Sequence, residues 1–149
     1  MKAPPSTSPY WKLVNLMSRA NVAAYRASGG RLGNHIGKAP VLLVHHVGRR
    51  TGTPRVSPVL YLEDGGRLVI VASKGGTDKN PAWYHNLMAS PDTEVELGRE
   101  RRRVRARPAT EEERSAYWPR LTAMYPQYDD YQRQAQTDRV IPVVVLEPQ

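Results

Sequence analysis

Apolar residues along this chain fall into short runs separated by glycine, proline and charged turns, a pattern of hairpins rather than of long helices. Positions 40–47 (PVLLVHHV) read as a buried strand, Gly48-Arg49-Arg50-Thr51-Gly52 as a turn, and 55–62 as the return strand. Asp64-Gly65-Gly66 marks the next turn, and 67–73 a third strand. Residues 94–97 and 101–106 pair as a hairpin about Gly98, and 140–146 form a last apolar strand.

Helical signals sit at the margins. Ser8 as N-cap and Pro9 at the first helical position open a helix over 8–28, which Gly29-Gly30 closes. Tyr10, Leu13, Val14, Met17 and Ala24 fall near one face of it. A glycine-rich loop follows over 29–38, and a Gly/Asp/Asn/Pro loop over 74–81 leads into a short helix over 82–89. Thr110 and Glu113 stand at capping-box spacing before a further helix. The aromatic stretch 117–131 is expected to break at Pro119 and Pro126. Six short strands, mostly linked as hairpins, argue for one α+β domain over 1–149, built on an antiparallel sheet or small barrel.

Composition narrows the class. At 149 residues there is room for one domain and one core. Cysteine is absent, so disulfides, thiolate nucleophiles and cysteine-held metals are excluded. No run approaches the roughly 18 apolar residues of a spanning helix, and 11–15 (WKLVN) interrupts any signal-like centre. Cytoplasmic residence is the expectation. Twenty-two Lys and Arg against 14 Asp and Glu leave a formal charge of +8. That balance favours an anionic partner: nucleic acid, an acidic membrane surface, or a phosphorylated or polycarboxylate small molecule. Phenylalanine is absent while eight Tyr and three Trp are present, so the aromatic surface carries polar handles, as suits a ligand cleft.

Several candidate motifs fail on spacing. Residues 33–39 (GNHIGKA) fall one residue short of a phosphate-binding loop and end in Ala39 where a magnesium-binding hydroxyl belongs. His45 and His46 are adjacent, so on a strand they face opposite ways and cannot share a metal. His35 and His85 lack ligand spacing, and no metal site is expected. What remains is basic turns beside glycines. Arg49, Arg50 and Arg55 surround a tight turn whose backbone amides and guanidinium forks suit phosphate oxygens. Ala72-Ser73-Lys74-Gly75-Gly76 is a second such strand end. The run Arg99, Arg101, Arg102, Arg103, Arg105 and Arg107 reads as an exposed sheet edge.

Taken in order, GRRTGTPR (48–55), VASKGG (71–76), KNPAWYHNL (79–87) and EERSAYWP with MYPQYDDYQ (112–132) resemble the deazaflavin-dependent nitroreductase family. These actinobacterial enzymes use coenzyme F420 and are also described as quinone reductases. The resemblance runs from the first helix to the last strand and implies a split β-barrel like that of flavin-mononucleotide-binding oxidoreductases. It implies hydride transfer from reduced coenzyme F420, an 8-hydroxy-5-deazaflavin with a phosphodiester and an oligoglutamate tail, to a quinone or nitro-aromatic.

By that resemblance the coenzyme is lined by Leu43, Val44, His45, Arg49, Arg50, Thr51, Gly52, Thr53, Pro54, Arg55, Ala72, Ser73 and Lys74. Ala82, Trp83, Tyr84, His85, Asn86 and Tyr128 complete the lining, with Arg50, Arg55 and Lys74 on the phosphate and acidic tail. Catalytic contacts to the acceptor fall to Ser73, Tyr125, Tyr128 and Tyr131. Leu60, followed by Tyr61, stands where the best-known nitroreductase of the family has a tyrosine. Trp11, Lys12 and Arg19 give the first helix the look of a peripheral anchor on an anionic membrane. Three other readings stand beside this one: a flavin-mononucleotide oxidoreductase, a deazaflavin carrier without turnover, and a nucleic-acid-binding barrel. The last leaves the ASKGG and NPAWYHNL segments without a purpose, so no nucleic-acid partner is expected. Oligomeric state is not legible.

Overall fold

The computed structural model describes residues 20, 22–28, 35–36, 39–73, 80–133 and 140–149. Seven strands run in chain order: β1 (His35–Ile36), β2 (Ala39–Val47), β3 (Pro54–Asp64), β4 (Arg67–Val71), β5 (Asp92–Leu97), β6 (Glu100–Pro108) and β7 (Val143–Pro148). The helices are α1 (residues 22–27), α2 (Ala82–Ala89), α3 (Glu111–Met124) and α4 (Gln127–Arg133). Every pairing is antiparallel, in the order β1-β2-β3-β4-β7-β6-β5. A further ladder between β2 and β5, with Leu43 opposite Glu96 and Val44 opposite Val95, closes six of the strands into a barrel.

The hydrophobic pattern follows from two cores. Leu42, Val44, Leu68, Ile70, Val95, Val104, Ala106, Val144 and Leu146 fill the barrel, and Trp83 and Leu87 of α2 plug it. Val69, Val71, Val143 and Val145 point the other way, under Tyr117 and Leu121 of α3 and Tyr128 of α4. Strands β4 and β7 are thus buried on both faces, which is why they read as unbroken apolar runs. The β3–β4 connection is a two-residue turn, with Gly65 at φ 56° and Gly66 at φ 93°, a backbone that glycine adopts without strain.

Three expectations need correction. The arginine run is a sheet edge only in part: β6 pairs with β5 over residues 100–105 and with β7 over 104–108, so Arg101 and Arg102 border an open side among the described residues while Arg105 and Arg107 lie against β7. Its outward guanidinium groups instead meet carboxylates: Arg101 and Arg103 meet Glu94, Arg105 meets Asp92, and Arg107 meets Glu113 and Glu147. Pro119 does not break its helix. α3 runs through it, since Pro119 and Ser115, whose carbonyl loses an N–H partner, both lie on the exposed side. Pro126 does interrupt, separating α3 from α4. The loop 29–38 also holds the two-residue strand β1, too short to carry a sequence signal. The expected Ser8 cap, most of the helix over 8–28 and its glycine stop lie outside the described residues, of which α1 falls inside the expected span.

The capping box on α3 is formed in both directions. Glu113 N–H donates to Thr110 Oγ1 at 3.1 Å, and Thr110 N–H donates to Glu113 Oε1 at 2.9 Å. The Arg107 guanidinium, with the Thr110 amide, holds the Glu113 carboxyl down to about 2. Replacing Thr110 with Ala removes one half of the box and is expected to lower stability by about 1 kcal/mol. Chemical denaturation checks this: an unchanged midpoint shows that the Arg107 pair alone fixes the helix start.

Candidate active site

The β2–β3 hairpin is built by its ends. Val47 opposes Pro54 and His46 opposes Arg55, which sets the register of the turn between them. Within the turn, Gly48 N–H donates to the Thr53 carbonyl at 2.9 Å and Gly52 N–H to the Gly48 carbonyl at 2.8 Å. Gly52 sits at φ 72°, and Thr53 N–H reaches Thr51 Oγ1 at 3.2 Å. Arg49, Arg50, Thr51, Pro54 and Arg55 are all exposed. Among the described residues, none of the three guanidinium groups has a carboxylate partner, in contrast to the neutralised arginines of β6.

The helix α2 lies beside this hairpin. Trp83 and Leu87 are spent in the barrel core, while Tyr84 and His85 are half-buried with ring centroids 5.4 Å apart. Burial and the neighbouring Arg49 charge push the His85 imidazole below its ordinary value. Asn86 is buried, and its Oδ1 accepts from the Arg49 backbone N–H at 3.0 Å. Its Nδ2 lies 2.9 Å from His46 Nδ1, and His46 Nε2 lies 2.9 Å from Ser57 Oγ on β3. Burial first, then the Arg55 and His45 charges, press the His46 imidazole down to about 4. His46 is therefore neutral near pH 7.

At the end of β4, Ala72 faces the barrel core and donates its N–H to the Pro142 carbonyl at 2.9 Å, and Ser73 is half-buried just beyond it. The β3–β4 register sends this strand end in the same direction as the β2–β3 hairpin. Tyr125 and Tyr128 stand on the second core, their rings packed edge to face at 4.9 Å, with Trp118 at 6.3 Å from Tyr128. Tyr128 is only 3 % exposed. Leu60 packs against this same core, whereas Tyr61 packs against the barrel interior.

The remaining expected residues separate. Val44 is interior to the barrel, and Leu43 and His45 share the opposite face of β2. There His45 Nε2 meets Glu96 Oε2 at 2.7 Å, and Arg26 of α1 reaches the same oxygen at 2.8 Å. Burial raises the Glu96 carboxyl, and Arg26 and His45 more than reverse this, leaving it below its ordinary value. Leu43 thus pairs with β5, and His45 is tied to β5 through Glu96, which also holds Arg26 of α1. A groove of about 340 Å³ by Arg26, Glu96, Gly98, Arg99 and Arg101 flanks that contact. Lys74 lies outside the described residues, and so does the side chain of Tyr131 on α4. Sequence reasoning missed His46 and Ser57. The alternation that sets His46 on the face opposite His45 was their only signal.

The His46 shift has a pH consequence. Its folded value lies below the ordinary 6.5, so stability present above pH 6.5 is lost as pH falls towards 4. The slope from this one group is at most about 1.4 kcal/mol per pH unit. Urea denaturation at pH 7, 6 and 5 is expected to show a steeper loss in the wild type than in His46→Leu. Parallel lines for the two proteins would mean that His46 takes its proton in the folded state as readily as in the unfolded chain.

Comparison with known proteins agrees with this architecture. An F420H(2)-dependent quinone reductase of Mycobacterium tuberculosis H37Rv is 41 % identical over 132 residues, covering 86 % of this chain and 87 % of that one. A solved F420-H2 dependent reductase superposes with a TM-score of 0.66 at 37 % identity, covering 76 % of this chain and 98 % of its own. A second solved structure, a domain-swapped dimer, superposes with a TM-score of 0.67 at 33 % identity, covering 94 % of this chain and all of its own. At 13 % identity, a pyridoxamine 5'-phosphate oxidase-like protein of Listeria innocua (TM-score 0.53; 89 % of this chain, 94 % of that one) shares the fold alone and confirms the split-barrel class. The family model of F420H(2)-dependent quinone reductases matches residues 17–148, and the chain belongs to that family.

Proposed function

We propose that this protein transfers a hydride from reduced coenzyme F420 to a quinone, with the β2–β3 hairpin as the seat of the coenzyme's anionic groups. One observation carries the placement. Arg49, Arg50 and Arg55 gather at one turn, exposed and without carboxylate partners among the described residues, while the arginines of β6 are paired. Uncompensated guanidinium groups at one exposed turn are the donor set that a phosphodiester and a glutamate tail require. The chemistry of such a site fits the coenzyme, and Lys74 joins it by its place in the sequence.

The bound deazaflavin supplies the hydride; the protein supplies position, dryness and hydrogen bonds. Arg50 and Arg55 hold the anionic end, and the barrel plug formed by Trp83 and Leu87 keeps water from the core side. Trp118, Tyr125 and Tyr128 form an aromatic wall above β4 and β7. Ser73 and the hydroxyls of Tyr125, Tyr128 and Tyr131 serve as donors to an acceptor oxygen as negative charge develops on it. Nitro-aromatics offer a similar oxygen and belong to the same acceptor class. Trp11, Lys12 and Arg19 support peripheral contact of the first helix with an anionic membrane, and no helix among the described residues is long and apolar enough to cross one.

Mixing the protein with reduced coenzyme F420 and menadione, and following the spectrum of the oxidised deazaflavin, tests the reading. Catalysed reoxidation is expected. Tight binding without turnover would make the protein a carrier, and a yellow protein active with nicotinamide coenzymes would make it a flavin enzyme. Arg50→Ala and Arg55→Ala are each expected to weaken coenzyme binding by about ten- to a hundredfold, or about 1.5–3 kcal/mol. The loss shrinks at high salt. Calorimetric titration giving wild-type affinity for both variants would remove the hairpin from the site. Tyr125→Phe and Tyr128→Phe are expected to slow quinone turnover by about tenfold or more at saturating coenzyme, more than they weaken coenzyme binding. Unchanged turnover in both, and in the double variant, would leave the tyrosines as packing.

A further inference from the structure

The turn that carries Arg49 and Arg50 is stitched mainly to itself, through Gly48, Gly52, Thr51 and Thr53. Its tie to α2 is the Arg49 N–H bond to Asn86 Oδ1 at 3.0 Å. A backbone N–H only donates, so the atom of the Asn86 carboxamide that faces it is the oxygen. The amide nitrogen is then turned to His46 and must donate to Nδ1, which lies 2.9 Å away. An imidazole that accepts at Nδ1 while neutral carries its hydrogen on Nε2, and that hydrogen is donated to Ser57 Oγ at 2.9 Å. Each group in this series fixes the next. Asn86 is 3 % and His46 5 % exposed, so water is a poor substitute for either partner.

Ser57, His46 and Asn86 have the residue types of a nucleophile, a base and an orienting amide, but the direction of donation is reversed. With Nε2 protonated, His46 cannot take the Ser57 proton, so the series does not activate a nucleophile. It does the opposite task of holding an amide still.

We infer that His46 and Asn86 are positioning residues for the anion site, locking the Asn86 oxygen onto the Arg49 amide so that the hairpin arginines face the coenzyme in one arrangement. Asn86 then acts through Arg49 rather than as a contact to the coenzyme. The inference rests on the proposed function for its ligand, but the lock itself is a property of the protein alone. Loss of the Nδ1 acceptor leaves a buried amide N–H without a partner, and rotating the carboxamide to relieve it would turn that N–H towards the Arg49 N–H.

The test has one ligand-free and one ligand-bound arm. Long-range nitrogen–proton NMR of the wild type is expected to show His46 hydrogen on Nε2 and a bare Nδ1; hydrogen on Nδ1 overturns the inference, whatever the variants do. His46→Leu is expected to speed hydrogen exchange of the Arg49 amide by about tenfold. It is also expected to weaken oxidised F420 binding by about tenfold, with turnover at saturating coenzyme within about twofold of wild type. His46→Asn, which returns an oxygen acceptor near the Nδ1 position, should recover most of both losses. If His46→Leu does not fold, Asn86→Ala takes its place and should show the same two losses. Unchanged Arg49 exchange in the folded variant overturns the inference. If exchange responds as expected but wild-type protein does not bind oxidised F420, the lock is upheld and the proposed coenzyme reading fails instead.

Discussion

Closure of the sheet between β2 and β5 is the constraint on which the other features rest. Antiparallel strands from 39 to 148 leave two edges unless the first long strand meets the fifth, and the Leu43–Glu96 and Val44–Val95 pairs supply that meeting. Closure gives β2 neighbours on both sides and commits its side chains to alternate faces. Leu42, Val44 and His46 turn inward or to the barrel's end, and Leu43 and His45 take the opposite face, where His45 meets Glu96. The outward set docks α1: Tyr25 Oη donates to the Glu96 carbonyl at 3.3 Å and accepts from Gly98 N–H at 2.6 Å, with Arg26 on the Glu96 carboxylate. The inward set ends in His46, which reaches both β3 and α2. One strand therefore fixes the first helix on one face and the arginine-bearing hairpin on the other.

Charge separates the two basic regions of the protein. On β6 the arginines alternate with Val104 and Ala106, and the outward ones meet Asp92, Glu94, Glu113 and Glu147 on neighbouring elements. These exposed pairs contribute little to stability individually, but they cancel the field of the strand. Among the described residues, the hairpin arginines have no such carboxylate partners. Part of the net charge of +8 is thus gathered at one turn, where Arg49, Arg50 and Arg55 are exposed together.

Much of this was legible in the sequence where a local rule governs the element. The apolar run of β2, the paired glycines at 65–66 and the Thr110–Glu113 spacing each reflect physics within a few residues. What stayed hidden depends on partners far along the chain. Arg105 and Arg107 look like part of an edge until β7 is seen beside them, because Glu147, which meets Arg107, is remote from it in sequence. Pro119 looks like a helix end, yet tertiary burial of Tyr117 and Leu121 carries α3 through it. In the candidate site, the turn 48–55 stood out by composition. The Asn86–His46–Ser57 series could not, since each bond in it joins two different elements. The His45 side chain was equally hidden: its partner Glu96, which also holds Arg26, lies 51 positions along the chain.

The central claim is that uncompensated hairpin charge, rather than ring stacking alone, sets coenzyme affinity. Calorimetric titration of the wild-type protein with oxidised F420, and with the same deazaflavin lacking its phosphodiester and glutamate tail, tests it most directly. The account predicts that the truncated compound binds at least about a hundredfold more weakly, as the loss of two or more charge-assisted contacts requires. It also predicts that this gap narrows as salt is raised. Equal affinity for the two compounds at low salt would contradict the account and move the binding energy away from Arg49, Arg50 and Arg55.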